Sequence, residues 1–385
     1  MSDRKRIYLD HAATSWPKAD EVLAAMDDFA RTCGAAAGRG AYQSAIDAGS
    51  VVAQTRRLIA KIIGAESDDC VSFHGSGTAA LNAAIHGILR SGDHVVTTAA
   101  EHNSVLRPLY DWQSRGQITI TVVPTDRGGQ VDTQRVLDEV TDQTRLVAVT
   151  SASNVTGAVQ PIREIGQSIA DHPARFLCDA AQTFGTLPID VADAHIDLLA
   201  APGHKSSGGP LGTAFLYASK RVHGELRATI QGGTGSHSES LNMPTTMPDM
   251  MEAGNLNVPA IAGWLAALTP LSPAELDRRA TRATEIARRL HDHLRSVPSV
   301  TLHASEARLP IASITSTAYA VSDLAAILDS EFGIETRSGL HCAALIHDCI
   351  ESGPAGTLRF SGSPFTSDDE IETVAQSLEH IFRDL

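Results

Sequence analysis

Between residues 70 and 218 the chain alternates short apolar runs with amphipathic segments. "CVSFH", "HVVTT", "ITITVV", "RLVAVTS", "RFLCDA", "LLAAP" and "TAFLYA" are rich in β-branched and other apolar residues and predict strands. "GTAALNAAIHGIL", "SVLRPLYDWQ", "TQRVLDEV" and "IREIGQSIA" space their apolar residues for one face of a helix. Strands alternating with helices over this length predict a mostly parallel, seven-stranded sheet covered on both faces. Upstream, Pro17 opens a helical pattern at Val22, Leu23, Met26 and Phe29, after a short strand in "RIYLDHAAT". Downstream, residues 231–258 are rich in Gly, Pro, Ser and Met, break the rhythm, and read as an active-site lid and domain junction. A long helix from about 272 to 296 follows, then "SVTLH", "ASITST", a helix from near Asp323, "TLRFS", and a last helix after Ser367. The expected architecture is α/β, with a large domain over residues 17–255 and a smaller α+β domain built from 1–16 and 256–385.

Composition narrows the function classes. A chain of 385 residues, 43% hydrophobic and 20% charged, has the balance of an ordinary globular protein. A formal charge of -14 argues against nucleic acid as a partner, because phosphate binding needs a basic surface. No stretch approaches the roughly 18 consecutive apolar residues that span a bilayer, and the first residues do not form a signal peptide. The expected location is the cytoplasm. Five cysteines, an odd number without a secretory signal, point to free thiols rather than a disulfide framework.

The candidate chemistry lies at strand ends, where open α/β sheets bind ligands. "APGHKSSGGPLG" puts His204 and Lys205 in a glycine-rich loop; a partly desolvated lysine there could form a Schiff base, although a solvated loop lysine has the same sequence. "RFLCDAAQTFG" sets Asp179 at a strand end with Gln182 three residues on, a carboxylate able to pair with a protonated ring nitrogen or simply to cap a turn. "FHGSGTAALN", with Ser76, Gly77 and Thr78, is a strand, a turn and a helix start, whose free N–H groups suit a phosphate. His102 in "AAEHNSVLRPL" and Asn154 in "SASNVTGAVQPI" follow further strand ends. Cys342 in "SGLHCAALIH" reads from its own residues as a packed thiol, a zinc ligand with His341, His347 and Cys349, half of a bridge to Cys349, or a nucleophile.

Taken in order, "YLDHAAT", "GSGTAALN", "EHNSVLRP", "SNVTG", "CDAAQ", "GHK", "GGTG", "EAGNLNVP" and "RSGLHCA" resemble the cysteine desulfurases, pyridoxal-phosphate enzymes of the class V aminotransferase fold. The form Arg337 to Ala343 is similar to the Suf-type branch. The resemblance implies an aspartate-aminotransferase-like fold (fold type I), pyridoxal 5'-phosphate as cofactor, no metal, and conversion of L-cysteine to L-alanine with sulfur passing to Cys342 as a persulfide. It implies Lys205 as the covalent cofactor lysine and proton carrier, Asp179 at the ring nitrogen, Gln182 at the ring oxygen, His102 stacked on the ring, and Asn154 near the ring oxygen and substrate carboxylate. Ser76, Gly77, Thr78 and His204 would hold the phosphate, Arg359 the substrate carboxylate, and His341 or Arg337 would lower the Cys342 pKa. Three positions depart from the family pattern: Gly77 and Pro202 lack hydroxyls, and Asn255 stands where relatives supply a threonine from the partner subunit. A homodimer and a sulfur-acceptor protein, serving iron-sulfur clusters or other thio-cofactors, are further implications. The alternatives are a related lyase acting on selenocysteine, cystine or cysteine sulfinate, and a cofactor-binding scaffold without turnover.

Overall fold

The computed structural model describes residues 6–383 apart from 39, 237, 238, 305 and 307. Its centre is a seven-stranded sheet in the order Val71–His74, Ala214–Ala218, Leu198–Pro202, Arg175–Asp179, Thr144–Thr150, His94–Thr98, Thr119–Val123. The last five strands are parallel, and Ala214–Ala218 runs antiparallel to both of its neighbours. Successive residues of a strand serve opposite faces: Val147 and Val149 pack into one core, Leu146 and Ala148 into the other. With both faces buried, the strands can be apolar throughout, and all five residues of Leu198–Pro202 are buried. This is the mixed α/β architecture expected from the strand rhythm.

Two helices lie outside that rhythm for identifiable reasons. Val258–Leu268 buries Val258, Ile261, Trp264 and Leu268 and has no polar face to mark it as amphipathic. Gln43–Ile62 builds much of its buried face from Ala45, Ala48 and Ala60, which give a weak periodic signal. Trp264, Leu271 and Leu276 all join the core of the large sheet, so that core continues beyond residue 255.

A second sheet, antiparallel throughout, has the order Arg337–Gly339, Thr357–Ser361, Ile311–Ser316, Val300–His303. Leu290 and Leu294 from helix Pro273–Ser296, Leu324, and Val374, Leu378 and Phe382 from helix Asp368–Phe382 pack against it. The chain start is tied to this unit: Ile7–Tyr8 pairs in parallel with Ile334–Glu335, and Asp10 bridges to Ser361. Of the expected lid, residues 237 and 238 lie outside the described residues; the rest contains no helix or strand before Val258. Among the described residues no helix is long and apolar enough to cross a membrane.

Trp264 connects this packing to chemistry. It is fully buried, packs edge-on against Phe73 and Phe184, and donates from Nε1 to Ser207 Oγ at 3.0 Å. Gly203 and Gly209, on either side of Lys205, lie so close that an added Cβ would come within 2.7 and 2.4 Å of the indole. The lysine loop therefore rests on the tryptophan. Trp264→Ala is expected to cost about 3–5 kcal/mol of stability in denaturant unfolding, with the loop around Lys205 loosening first in hydrogen exchange.

Candidate active site

The C-terminal ends of the parallel strands open onto a cavity of about 230 Å³. Its wall includes every candidate named above except Cys342, Asn255, His347 and Cys349. Five loops supply the polar groups because each follows a strand ending at the same edge of one sheet: the turn before helix Gly77–Ile88, His102 after His94–Thr98, Asn154 after Thr144–Thr150, Asp179 at its own strand end, and Lys205 after Leu198–Pro202.

Local hydrogen bonds fix these groups. Ser76 caps helix Gly77–Ile88, accepting from Ala79 N–H at 3.1 Å. His102 caps helix Asn103–Ser114, its Nδ1 accepting from Ser104 N–H at 3.0 Å; because that amide can only donate, a neutral ring carries its proton on Nε2. Ser104 Oγ then joins His102 to Thr78 Oγ1 at 2.8 Å. Asp179 accepts from Ala181 N–H at 2.9 Å, and Gln182 donates to Ala12 O at 3.2 Å. Arg359 is 1% exposed, donating to Asp10 Oδ1 at 2.5 Å and to Asn154 O at 2.9 Å, while its buried Nε has no partner among the described residues.

Burial governs the charges. It lowers the Lys205 amine to about 8, against the opposing pull of Asp179. It raises the Asp179 carboxyl, partly offset by the Ala181 N–H and by Lys205. His102 and His204 are each driven to about 4, first by burial and then by Lys205. His341 falls to about 2 for the same reason, with Arg359 and Arg337 adding to it. His341 is therefore neutral at physiological pH and supplies no positive charge to Cys342. Its Nε2 donates to Thr357 O at 3.1 Å, anchoring the ring to the smaller sheet. Arg337 remains as the neighbouring cation, its Nη2 lying 3.6 Å from Cys342 Sγ.

Cys342 is exposed, so the inert-burial reading fails, and all five cysteines are free. Cys70 and Cys178 are buried with their thiol pKa values raised by burial, which makes them poor nucleophiles. Asn255 is exposed and outside the cavity of its own chain. Gly77 and Pro202, two departures from the family pattern, prove to be neighbours: a Cβ on Gly77 would come within 3.2 Å of Pro202 Cδ. A side chain on Gly77 would be tight against the proline ring. Sequence reasoning missed Asp10, the counterion of Arg359, and Ser104, the link between His102 and Thr78; both stand within the quoted motifs, but neither spacing nor residue type gives away their partners.

Residues 7–374 match the family model described as "Aminotransferase class-V", and the chain belongs to that family. Within it, the relatives are cysteine desulfurases. A Methanothermobacter thermautotrophicus protein named "Probable cysteine desulfurase" is 35% identical, the match covering 98% of this chain and 95% of that protein. "Cysteine desulfurase IscS" of Dictyoglomus turgidum is 29% identical over 99% of this chain and 96% of its own. Among solved structures, the cysteine desulfurase from Thermococcus onnurineus NA1 superposes with a TM-score of 0.91 at 27% identity, covering 99% of this chain and 95% of that one. The family read from the motifs and the fold read from the strand rhythm are both upheld.

One acidic group beside the site has a measurable signature. Glu101 is fully buried; its Oε1 accepts from Thr98 Oγ1 at 2.7 Å and Thr150 N–H at 2.8 Å, and its Oε2 has no partner. Burial pushes this carboxyl up to about 8, and the charge of Asp179 acts in the same direction. In the unfolded chain a glutamate ionises near about 4.3, so the native state keeps a proton that the unfolded state releases. The stability it contributes is complete below about pH 4 and is lost as pH rises through about 8. Denaturation midpoints of the cofactor-free protein are expected to fall between about pH 5 and about pH 9, and Glu101→Gln to flatten that fall.

Proposed function

We propose that this chain is a pyridoxal-phosphate-dependent cysteine desulfurase that converts L-cysteine to L-alanine and receives the sulfur on Cys342. The observation that carries this reading is the placement of Lys205 and Asp179 in one buried cavity, with Cys342 exposed beside Arg337 on the loop that follows the cavity wall. The residues fit the cofactor on three counts. The start of helix Gly77–Ile88 offers N–H groups not used within the helix to a phosphate. Asp179 is a buried carboxyl for which a ring cation would be the natural counterion. Arg359 keeps a buried Nε without an acceptor, suited to a substrate carboxylate.

Bound there, the cofactor supplies an electron sink that acidifies the substrate Cα–H and weakens its Cβ–Sγ bond. Lys205, with its amine near 8, is partly neutral at physiological pH and can both hold the cofactor and carry the Cα proton. Asp179 would stabilise positive charge on the cofactor ring. His102 presents the N–H on Nε2 and stays neutral, so toward the cofactor it would act as a hydrogen-bond donor rather than as a cation. Arg359, oriented by Asp10, holds the substrate carboxylate. The Cys342 thiolate attacks the substrate sulfur: an S–S bond forms, the Cβ–Sγ bond breaks, and its electron pair returns to carbon, which takes a proton to give alanine. The product on the enzyme is a persulfide, from which the outer sulfur passes to an acceptor thiol by exchange.

The same reading makes the enzyme a cytoplasmic homodimer, in which Asn255 of one copy serves the phosphate end of its neighbour's cavity. Its exposure on its own chain supports this role. The test is incubation with L-cysteine, measuring alanine and protein persulfide. Wild type is expected to form both, Lys205→Ala neither, and Cys342→Ala no persulfide and only background alanine. Equal alanine release by Cys342→Ala would overturn the nucleophile, and faster turnover of cysteine sulfinate or selenocysteine would favour a lyase. Arg359→Lys is expected to lose roughly 10- to 100-fold in kcat/KM for L-cysteine, since hydrogen bonds to a charged group contribute about 1.5–3 kcal/mol.

A further inference from the structure

The backbone around Cys342 is held in a conformation that its own residues disfavour. His341 and Cys342 are consecutive non-glycine residues in the left-handed region, with φ of 51° and 59°, following Gly339 at 110°. L-residues adopt this conformation singly and at a cost, so two in succession require external restraint. The restraint comes from the large sheet. Asn154 Nδ2 donates to His341 O at 2.6 Å, and Asn103 N–H donates to Cys342 O at 2.7 Å. Both carbonyls of the strained pair are thus tied to segments that follow strands of the large sheet, and each segment also lines the cavity, through His102 and Asn154.

An apolar contact reinforces the same junction. Ala343, Ile346 and Ile350, just after Cys342, form a buried cluster with Ala100 and Val155. Those last two residues stand two positions before His102 and one after Asn154. On the other side the His341 ring is tied to Thr357. The loop is therefore clamped on both flanks while the Cys342 side chain stays exposed.

We propose that Asn103 and Asn154 are positioning residues for Cys342: their two hydrogen bonds hold its strained backbone on the large sheet, so that the thiol acts from a fixed seat rather than from a swinging loop. This rests on Cys342 being the sulfur acceptor. Asn103 acts through its backbone N–H, which as the first residue of its helix has no partner within that helix. Asn154 ties the seat to the cavity, because the same side chain lines the wall where the substrate would bind.

Asn103→Pro tests this without entering the cavity. It deletes the N–H at a helix position where proline is at ease, and the preceding residue, His102, already has the extended backbone (φ -70°, ψ 152°) that proline requires. The readouts, on the purified protein without cysteine, are amide exchange over residues 338–345 and the rate of Cys342 alkylation by iodoacetamide. Asn103→Pro and Asn154→Ala are each expected to speed exchange about three- to tenfold, the range for loss of one hydrogen bond, and to change the alkylation rate. The double variant is expected to exceed either. In Asn103→Pro, kcat for L-cysteine should fall with little change in KM. A folded Asn103→Pro protein with wild-type exchange and alkylation would overturn the proposal. Because exchange is read without turnover, a loosened loop in a protein that makes no alanine would instead count against the desulfurase reading alone.

Discussion

Desolvation at one edge of the large sheet is the constraint on which the site depends. The strand ends gather the Lys205 amine, the Asp179 carboxyl and the His102 and His204 imidazoles around one cavity, and the smaller sheet adds the Arg359 guanidinium. Each group is pushed toward its neutral form, and the Lys205 amine, the Asp179 carboxyl and the Arg359 guanidinium all shift in that direction. A surface lysine would stay protonated and inert as a nucleophile. The fold creates reactivity by withholding solvent, and the opposing charges of Asp179 and Asp10 keep that withdrawal from going too far.

The tension is eased by pairing across the two units. Arg359 belongs to the smaller sheet, yet its donors go to Asp10 at the chain start and to the Asn154 carbonyl of the large sheet. One buried cation thus draws together three parts of the molecule. Truncating either partner of such a pair leaves an uncompensated charge in the interior, which is why these residues act as structure as much as chemistry.

Much of this was legible in the sequence, and the parts that were not share a cause. The strand ends announced themselves because apolar runs stop where polar residues begin, which placed Asp179, His102, Asn154 and Lys205 at one edge before any coordinates. Cys342 could not be interpreted from its own residues; the motifs far upstream chose among its readings. Asp10 with Arg359, Ser104 with Thr78, and Gly77 with Pro202 stayed hidden because each is a contact between segments remote in sequence. His341 is instructive: a histidine beside a cysteine invites a role as a cation, and only its depth of burial shows that it is neutral and acts as an anchor.

The tie between the first residues and the last third of the chain has a consequence in time. Arg359 and Asp10 are separated by 349 residues, and Ile7 pairs with Ile334. Contacts of such span pay the entropy of closing a very long loop before they return any stability. A chain made from its N-terminus can complete the large sheet while residues 7–10 still lack partners, and Arg359 arrives only after that sheet. The smaller sheet's side of the cavity is thus added to a large sheet already folded to receive it.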